Sequence, residues 1–134
     1  MAKQSGLGMT LSVDDSAGSA KAIGNDFTNL AFSTPRGVQD VTGIDVSAME
    51  RILLLADFSI TINGPLNIEA DHSHDVFKTV PSTSVARTTS LAISAKTLAP
   101  EVLYTDYPLT RSASGEFTYA VPGVLSSGIV PTWG

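Results

Sequence analysis

Alternation of apolar and polar positions predicts a protein built mainly of β-strands. Met9, Leu11 and Val13 alternate with polar residues, which is the period-two pattern of a half-buried strand. Phe58 and Ile62 belong to a second run of this kind. Further strands are predicted at residues 27–33, 37–42, 85–98, 102–111 and 117–121. Because so many strands must either pair as two layers or close on themselves, we expect a β-sandwich or a half-open β-barrel.

Local signals predict how some of these strands connect. The sequence Thr-Pro-Arg-Gly at residues 34–37 predicts a turn between two strands. The small polar residues 112–115 predict a hairpin turn between the strands at 102–111 and 117–121. Residues 72–80 are compatible with a helical turn that Pro81 stops.

One short α-helix is predicted at about residues 46–55, flanking the sheet. Ser47 and Glu50, three residues apart, form a capping-box pattern. The apolar residues that this helix would place over the sheet are Met49, Ile52 and Leu53.

The length of 134 residues fits one domain that covers residues 1–134. Residues 1–8 have too little apolar content to pack by themselves, so we expect an extended N-terminal arm that a neighbour orders. Only 16 % of the residues are charged, and a surface with few charges is easily buried against other copies. Trp133, close to the C-terminal end of the sequence, is costly to expose and is expected to pack.

Charge and composition argue against several classes of function. The net charge is −5 and the eight Lys and Arg residues are dispersed, whereas a nucleic-acid binder needs them clustered. Cysteine is absent, so no disulfide, thiolate nucleophile or cysteine zinc site is expected. Apolar runs are too short to span a membrane, and residues 1–6 lack the apolar stretch of a signal peptide. We therefore expect synthesis in the cytoplasm and no membrane association.

Residues 71–75, Asp-His-Ser-His-Asp, are the densest group of potential ligands. On a strand, His72 and His74 would share a face and offer two ligands to a metal, but no third ligand follows from spacing. A polar loop before a helical turn is the simpler interpretation. There is no Gly-x-Ser-x-Gly pattern and no phosphate-binding glycine loop. The sequence therefore predicts no catalytic site, cofactor or metal, and a hydrolase built on paired carboxylates is the weakest alternative.

Three stretches resemble the small major tail tube proteins of long-tailed, siphophage-type bacteriophages. They are residues 1–8, residues 40–51, and the C-terminal block at 101–111, 115, 119–123 and 131–134. Together they cover about half of the chain, in the same order as in that family. The resemblance implies a structural protein of the virion tail that forms hexameric rings. The rings would stack into a tube through which DNA passes as cargo, with tape measure and tail-end proteins as further partners.

Within this interpretation, two sets of residues are candidate functional positions. The arm residues expected to contact the next ring are Lys3, Gln4, Ser5 and Leu7. The acids that are candidates for the lumen of the tube are Asp40, Asp57, Asp106 and Glu116. A monomeric β-sandwich module that binds carbohydrate, and another tail component such as a terminator or distal ring protein, remain alternatives.

Overall fold

A computed structural model describes residues 3–134 and leaves Met1 and Ala2 outside the description. The first six strands are β1 (Thr10–Asp14), β2 (Ala20–Ala22), β3 (Asn29–Ser33), β4 (Arg36–Asp40), β5 (Arg51–Ala56) and β6 (Ser59–Pro65). They are followed by helix α1 (Ser73–Phe77), β7 (Arg87–Ile93), β8 (Lys96–Leu98), β9 (Glu101–Tyr104), β10 (Leu109–Arg111) and β11 (Phe117–Leu125). The prediction of a mainly β protein with one short helix is confirmed.

Most strands belong to one antiparallel sheet with the order β2-β1-β7-β9-β11-β6-β3, to which β8 and β10 add at the side. The two halves of this sheet are joined by a short pairing of β7 and β9, in which Arg87 lies opposite Val102 and Thr88 opposite Glu101. Within the described chain the sheet does not close into a barrel, because β2 and β3 each have a single neighbour. The structure therefore agrees with the predicted β-sandwich or half-open β-barrel and excludes a closed barrel for the described residues.

One hydrophobic core lies between the two halves of the sheet. Leu11 and Leu91 come from the first half, Ile62 and Tyr119 from the second, and Phe77 from α1. All five side chains are nearly completely buried. Burial of a large apolar side chain contributes about 1.5–3 kcal/mol, so this shared core is what holds the two halves together.

Helix α1 is fixed to the sheet by a buried arginine. The guanidinium of Arg87 donates hydrogen bonds to the carbonyl oxygens of Val76 and Asp14 and, over 3.0 Å, to the hydroxyl of Thr79. Burial lowers the pKa of Arg87 because the charged form loses hydration. The predicted helical turn before Pro81 is confirmed.

The prediction of a helix at about residues 46–55 is wrong. Residues 51–56 form β5, in which Ile52 lies opposite Gln39 and Leu53 opposite Val38 of β4. The capping-box pattern depends on neighbouring residues only. The backbone N–H and C=O groups of β5 are instead satisfied by β4, a strand that lies earlier in the sequence. Met49, Ile52 and Leu53 therefore do not cover the sheet.

The predicted turn at residues 34–37 is also wrong, because the chain continues there without reversing. β3 and β4 do not pair with each other: β3 pairs with β6 up to Ser33 opposite Ser59, and β4 pairs with β5 from Arg36 opposite Ala56. Across the junction, the backbone amide of Asp57 donates a hydrogen bond of 2.8 Å to the carbonyl oxygen of Pro35. The result is one long two-stranded ribbon that joins the sheet at one end and extends beyond it at the other.

The predicted hairpin at 102–111 and 117–121 is present, with one interruption. Tyr104 lies opposite Gly123 and Leu109 opposite Tyr119, so five steps on one strand oppose four on the other. This is a β-bulge, and it divides the predicted strand into β9 and β10.

Candidate assembly interface

The part of the ribbon that extends beyond the sheet, residues 36–56, is here named the distal hairpin. In the described chain its strands pair only with each other, and nearly every residue of β4 and β5 is exposed. Leu55 is 93 % exposed and Leu53 is 59 % exposed. A two-stranded hairpin alone is marginally stable in water. A hairpin with this much exposed apolar surface is an expected contact site for another protein surface.

Both faces of the distal hairpin are apolar. Successive residues of a strand point to opposite faces, and residues 52–55 are Ile-Leu-Leu-Leu. Leu53 shares one face with Val38, and Leu54 lies on the other face beside Gly37. A hairpin that packed on a single neighbour would need only one apolar face. The pattern therefore indicates that surfaces on both sides cover it.

Hydrogen bonds made by Thr42 order the end of the distal hairpin. Its hydroxyl accepts a hydrogen bond from the backbone amide of Glu50 at 2.8 Å, and its own amide donates to the carboxylate of Asp40 at 2.9 Å. The Thr42 hydroxyl also donates to Asp40, and these bonds hold the pKa of Asp40 below its usual value. Residues 40–50 contain three acids and no Lys or Arg.

The four candidate lumen acids are all exposed and lie far apart in the fold. Asp40 is at the end of the distal hairpin, and Asp106 is in the β-bulge between β9 and β10. Asp57 comes just before β6 and Glu116 just before β11. Because β6 and β11 are antiparallel, the two acids lie at opposite ends of this pair. Six residue steps separate these ends, or roughly 20 Å at the rise of a strand. One protomer therefore does not gather these acids into a single patch.

The described part of the N-terminal arm is exposed from Lys3 to Gly8. Leu7 is 88 % exposed, and its backbone amide donates to the hydroxyl of Ser5 at 2.9 Å. Met9 is the first residue of the described chain that packs against the core. The arm thus contributes little to the folding of its own domain.

The C-terminal segment forms an open cavity with the arm. Gly134 and Thr97 exchange two backbone hydrogen bonds of 2.8 and 3.4 Å, which place the segment along β8. Trp133 packs beside Phe32, with ring centroids 6.0 Å apart, and stays 49 % exposed. The exposed part of the Trp133 side chain lines one side of a cavity of about 420 Å³, here named the terminal pocket. The lining residues are Gln4, Ile93, Ser94, Ala95, Lys96 and Trp133.

The histidines at positions 72 and 74 are directed to different partners. Nδ1 of His72 lies 2.9 Å from Oδ2 of Asp26, whereas Nδ1 of His74 lies 3.2 Å from the hydroxyl of Tyr107. Among residues 3–134, no group of three His, Cys, Asp or Glu side chains is arranged to hold a metal ion. Over the same residues, no helix is both long and apolar enough to cross a membrane.

The partner of His72 is a buried carboxylate that the sequence pattern does not reveal. Asp26 is 1 % exposed and also accepts hydrogen bonds from the side chain of Asn67 and the backbone amide of Ser73. These donors lie 41 to 47 positions away along the chain, so no local spacing signals the cluster. The cluster connects the loop before β3 to the segment around α1, which is a structural role.

Comparisons with known proteins support the fold. No family model and no curated protein matches the sequence. Among solved structures, the chain matches one in the tail of an empty gene transfer agent particle, computed with helical refinement and C6 symmetry. The TM-score is 0.79 at 15 % identity, over 98 % of this chain and 99 % of that one. The chain has the fold of a gene transfer agent tail protein.

A second solved structure supports the same conclusion. A chain in the virion of a native gene transfer agent particle matches with a TM-score of 0.78 and 14 % identity, again over 98 % of this chain and 99 % of that one. With this coverage, the shared fold includes the distal hairpin and most of both terminal segments. The tail-type fold that the sequence resemblance implied is confirmed.

Proposed function

We propose that this protein is a non-enzymatic structural subunit of a phage-type tail. Its copies associate into rings, six to a ring, and the rings stack into a tube that conducts DNA. The observation that carries the proposal is the match of almost the whole chain to a chain in a tail with C6 symmetry. The distal hairpin supports it independently, because two apolar faces outside the core need other copies to cover them.

The sheet itself offers a second means of association. β2 and β3 have free edges in the described chain, and such edges favour pairing with another strand. In a closed ring, every copy would use the same pair of surfaces, so the edges of β2 and β3 would be covered in each copy. Ring closure and hairpin packing together account for both kinds of exposed surface.

The termini complete the proposed assembly. Lys3, Gln4, Ser5 and Leu7 would contact the next ring, since the arm is exposed and packs little on its own domain. Deletion of residues 1–8 should therefore leave the melting temperature of the monomer unchanged and weaken tube formation. Tape measure and tail-end proteins are the further partners, and the virion tail is the location.

Electron microscopy and sedimentation of the purified protein test the proposal. We expect rings or tubes for the wild-type chain, and loss of both for Leu53→Ser and Leu55→Ser on the distal hairpin. Ile68→Ser is the matched control, because Ile68 is 72 % exposed but lies outside the hairpin. A wild-type protein that stays monomeric at high concentration would refute the proposal and favour a carbohydrate-binding module. Rings that never stack would favour a terminator or distal ring protein.

A further inference from the structure

Two exposed surfaces of this chain complement each other in polarity and in charge. The first is the end of the distal hairpin, residues 40–50, where Ile44 is 104 % exposed and three acids occur without a Lys or Arg. The second is the terminal pocket, where apolar surface from Ile93, Ala95 and Trp133 adjoins Lys96. No Asp or Glu is among its lining residues, and Lys3 is next in sequence to Gln4.

We propose that the end of the distal hairpin of one copy docks into the terminal pocket of a second copy. In this contact, Ile44 packs against Ala95 and Trp133, and Asp45 faces Lys96. The contact rests on the proposed function, because it requires copies to associate. The surface that binds the hairpin end consists of the turn between β7 and β8 and of both terminal segments.

Among the exposed apolar residues, Ile44 fits this pocket best. Among residues 3–134, the five most exposed large apolar side chains are Ile44, Leu55, Leu7, Ile129 and Ile68. Leu7 and Ile129 have no acid within four positions in sequence, and Leu55 belongs to strand β5 rather than to an exposed tip. Ile68 precedes Glu69, but its segment is tied to the sheet. Two residues earlier, the backbone amide of Leu66 donates a hydrogen bond to the carbonyl oxygen of Phe117. Of these five positions in the described chain, only Ile44 combines an apolar tip, nearby negative charge and a place at the end of a hairpin outside the main sheet.

A charge exchange tests the contact. Lys96→Glu and Asp45→Lys each bring like charges together, so each should raise the protein concentration needed for half-assembly at least about tenfold. The double variant, Asp45→Lys with Lys96→Glu, should restore assembly, because opposite charges face each other again. Both residues are exposed, so the melting temperatures of the unassembled variants should match the wild type. Single variants that assemble normally, or a double variant no better than the singles, would overturn the contact.

Cross-linking provides a measurement that does not depend on charge. The chain has no cysteine, so Ile44→Cys combined with Ala95→Cys introduces the only two thiols. A short bis-maleimide added to assembled protein should give a ladder of linked chains on a denaturing gel. Ile68→Cys with Ala95→Cys is the control and should remain largely unlinked. If the variant with Ile44→Cys and Ala95→Cys assembles but stays unlinked, the contact is wrong and the proposed function is unaffected. If the wild-type chain never assembles, the proposed function is wrong as well.

Discussion

Oδ2 of Asp26 lies 2.9 Å from Nδ1 of His72, at a carboxylate that is almost fully buried. The same side chain accepts hydrogen bonds from the side chain of Asn67 at 2.6 Å and from the backbone amide of Ser73 at 3.1 Å. Its backbone carbonyl accepts a further bond of 2.8 Å from the hydroxyl of Tyr119. Asp26 thereby joins three separate parts of the chain, and a buried acid needs such donors to be tolerated.

Asp26→Asn should destabilise the fold although it conserves shape. The new amide group is a donor, so at least one of the existing buried donors loses its acceptor, at a cost of about 1–3 kcal/mol. Urea unfolding followed by circular dichroism measures this loss. Asp106→Asn, at an exposed acid in the β-bulge, is the control and should change the free energy of unfolding by no more than about 0.5 kcal/mol. Equal stability of the two variants would contradict the assigned role of Asp26.

Gly64→Ala should be among the most damaging small substitutions in the chain. A Cβ at this position would clash with the carbonyl oxygen of Asp26 and lie 2.8 Å from Cα of Phe27. These are backbone atoms, which cannot move aside as a flexible side chain does. The expected cost is at or above the upper end of the roughly 1–3 kcal/mol typical of overpacking. Gly6→Ala, where nothing lies within 4 Å of the added carbon, should unfold like the wild type in urea.

Ile52→Asp should yield a folded protein that does not assemble. A helix packed over the sheet would have buried this residue, but in the distal hairpin Ile52 is 48 % exposed. The new carboxylate stays hydrated in the monomer and loses its hydration only when another copy covers the hairpin. Circular dichroism and sedimentation separate the two effects. Ile62→Asp, at a fully buried position of β6, is the matched control and should not fold. Misfolding of both variants would show that the hairpin is part of the core.

High pH should ionise the buried tyrosines, Tyr104 and Tyr119, only as the protein unfolds. Burial raises the pKa of Tyr104, Tyr107 and Tyr119, the only three tyrosines, above their usual value of 10.0. Because each folded pKa lies above the unfolded value, this contribution to stability is complete below pH 10 and is lost as the pH rises through the folded pKa values. Tyrosinate absorbance and circular dichroism should therefore change together above pH 10. Half-ionised tyrosines at pH 10 in a fully folded protein would contradict this.

Replacing lumen acids with Lys should slow DNA passage without preventing assembly. If Asp57, Asp106 or Glu116 faces the bore, Lys there creates rings of positive charge that bind phosphates and displace counterions. The defect in DNA release should ease as the salt concentration rises. Asp40→Lys also removes the acceptor of Thr42, so its assembly must be checked first. Glu69→Lys, outside this set, is the control. Normal DNA release at low salt from assembled tubes of all four variants would refute the assignment.

The sequence by itself determined the strands with period-two patterns and some of the turns that separate them. Leu11, Ile60 and Ile62 alternate with polar residues because one side of each strand faces the core. This alternation can be seen in a few neighbouring residues of the sequence. The hairpin turn at 112–115 and the helical turn before Pro81 are equally local, since they depend on a few neighbouring residues.

Only the tertiary structure decided which strands pair and which apolar residues remain outside the core. Met49, Ile52 and Leu53 fit one face of a helix, yet a strand with two apolar faces gives the same spacing, and pairing with β4 settled the choice. The burial of Asp26 depended in the same way on donors more than 40 positions distant. The spacing of apolar residues indicates the period of a helix or strand. Which strand it pairs with depends on the free energy of contacts between segments that are remote in sequence.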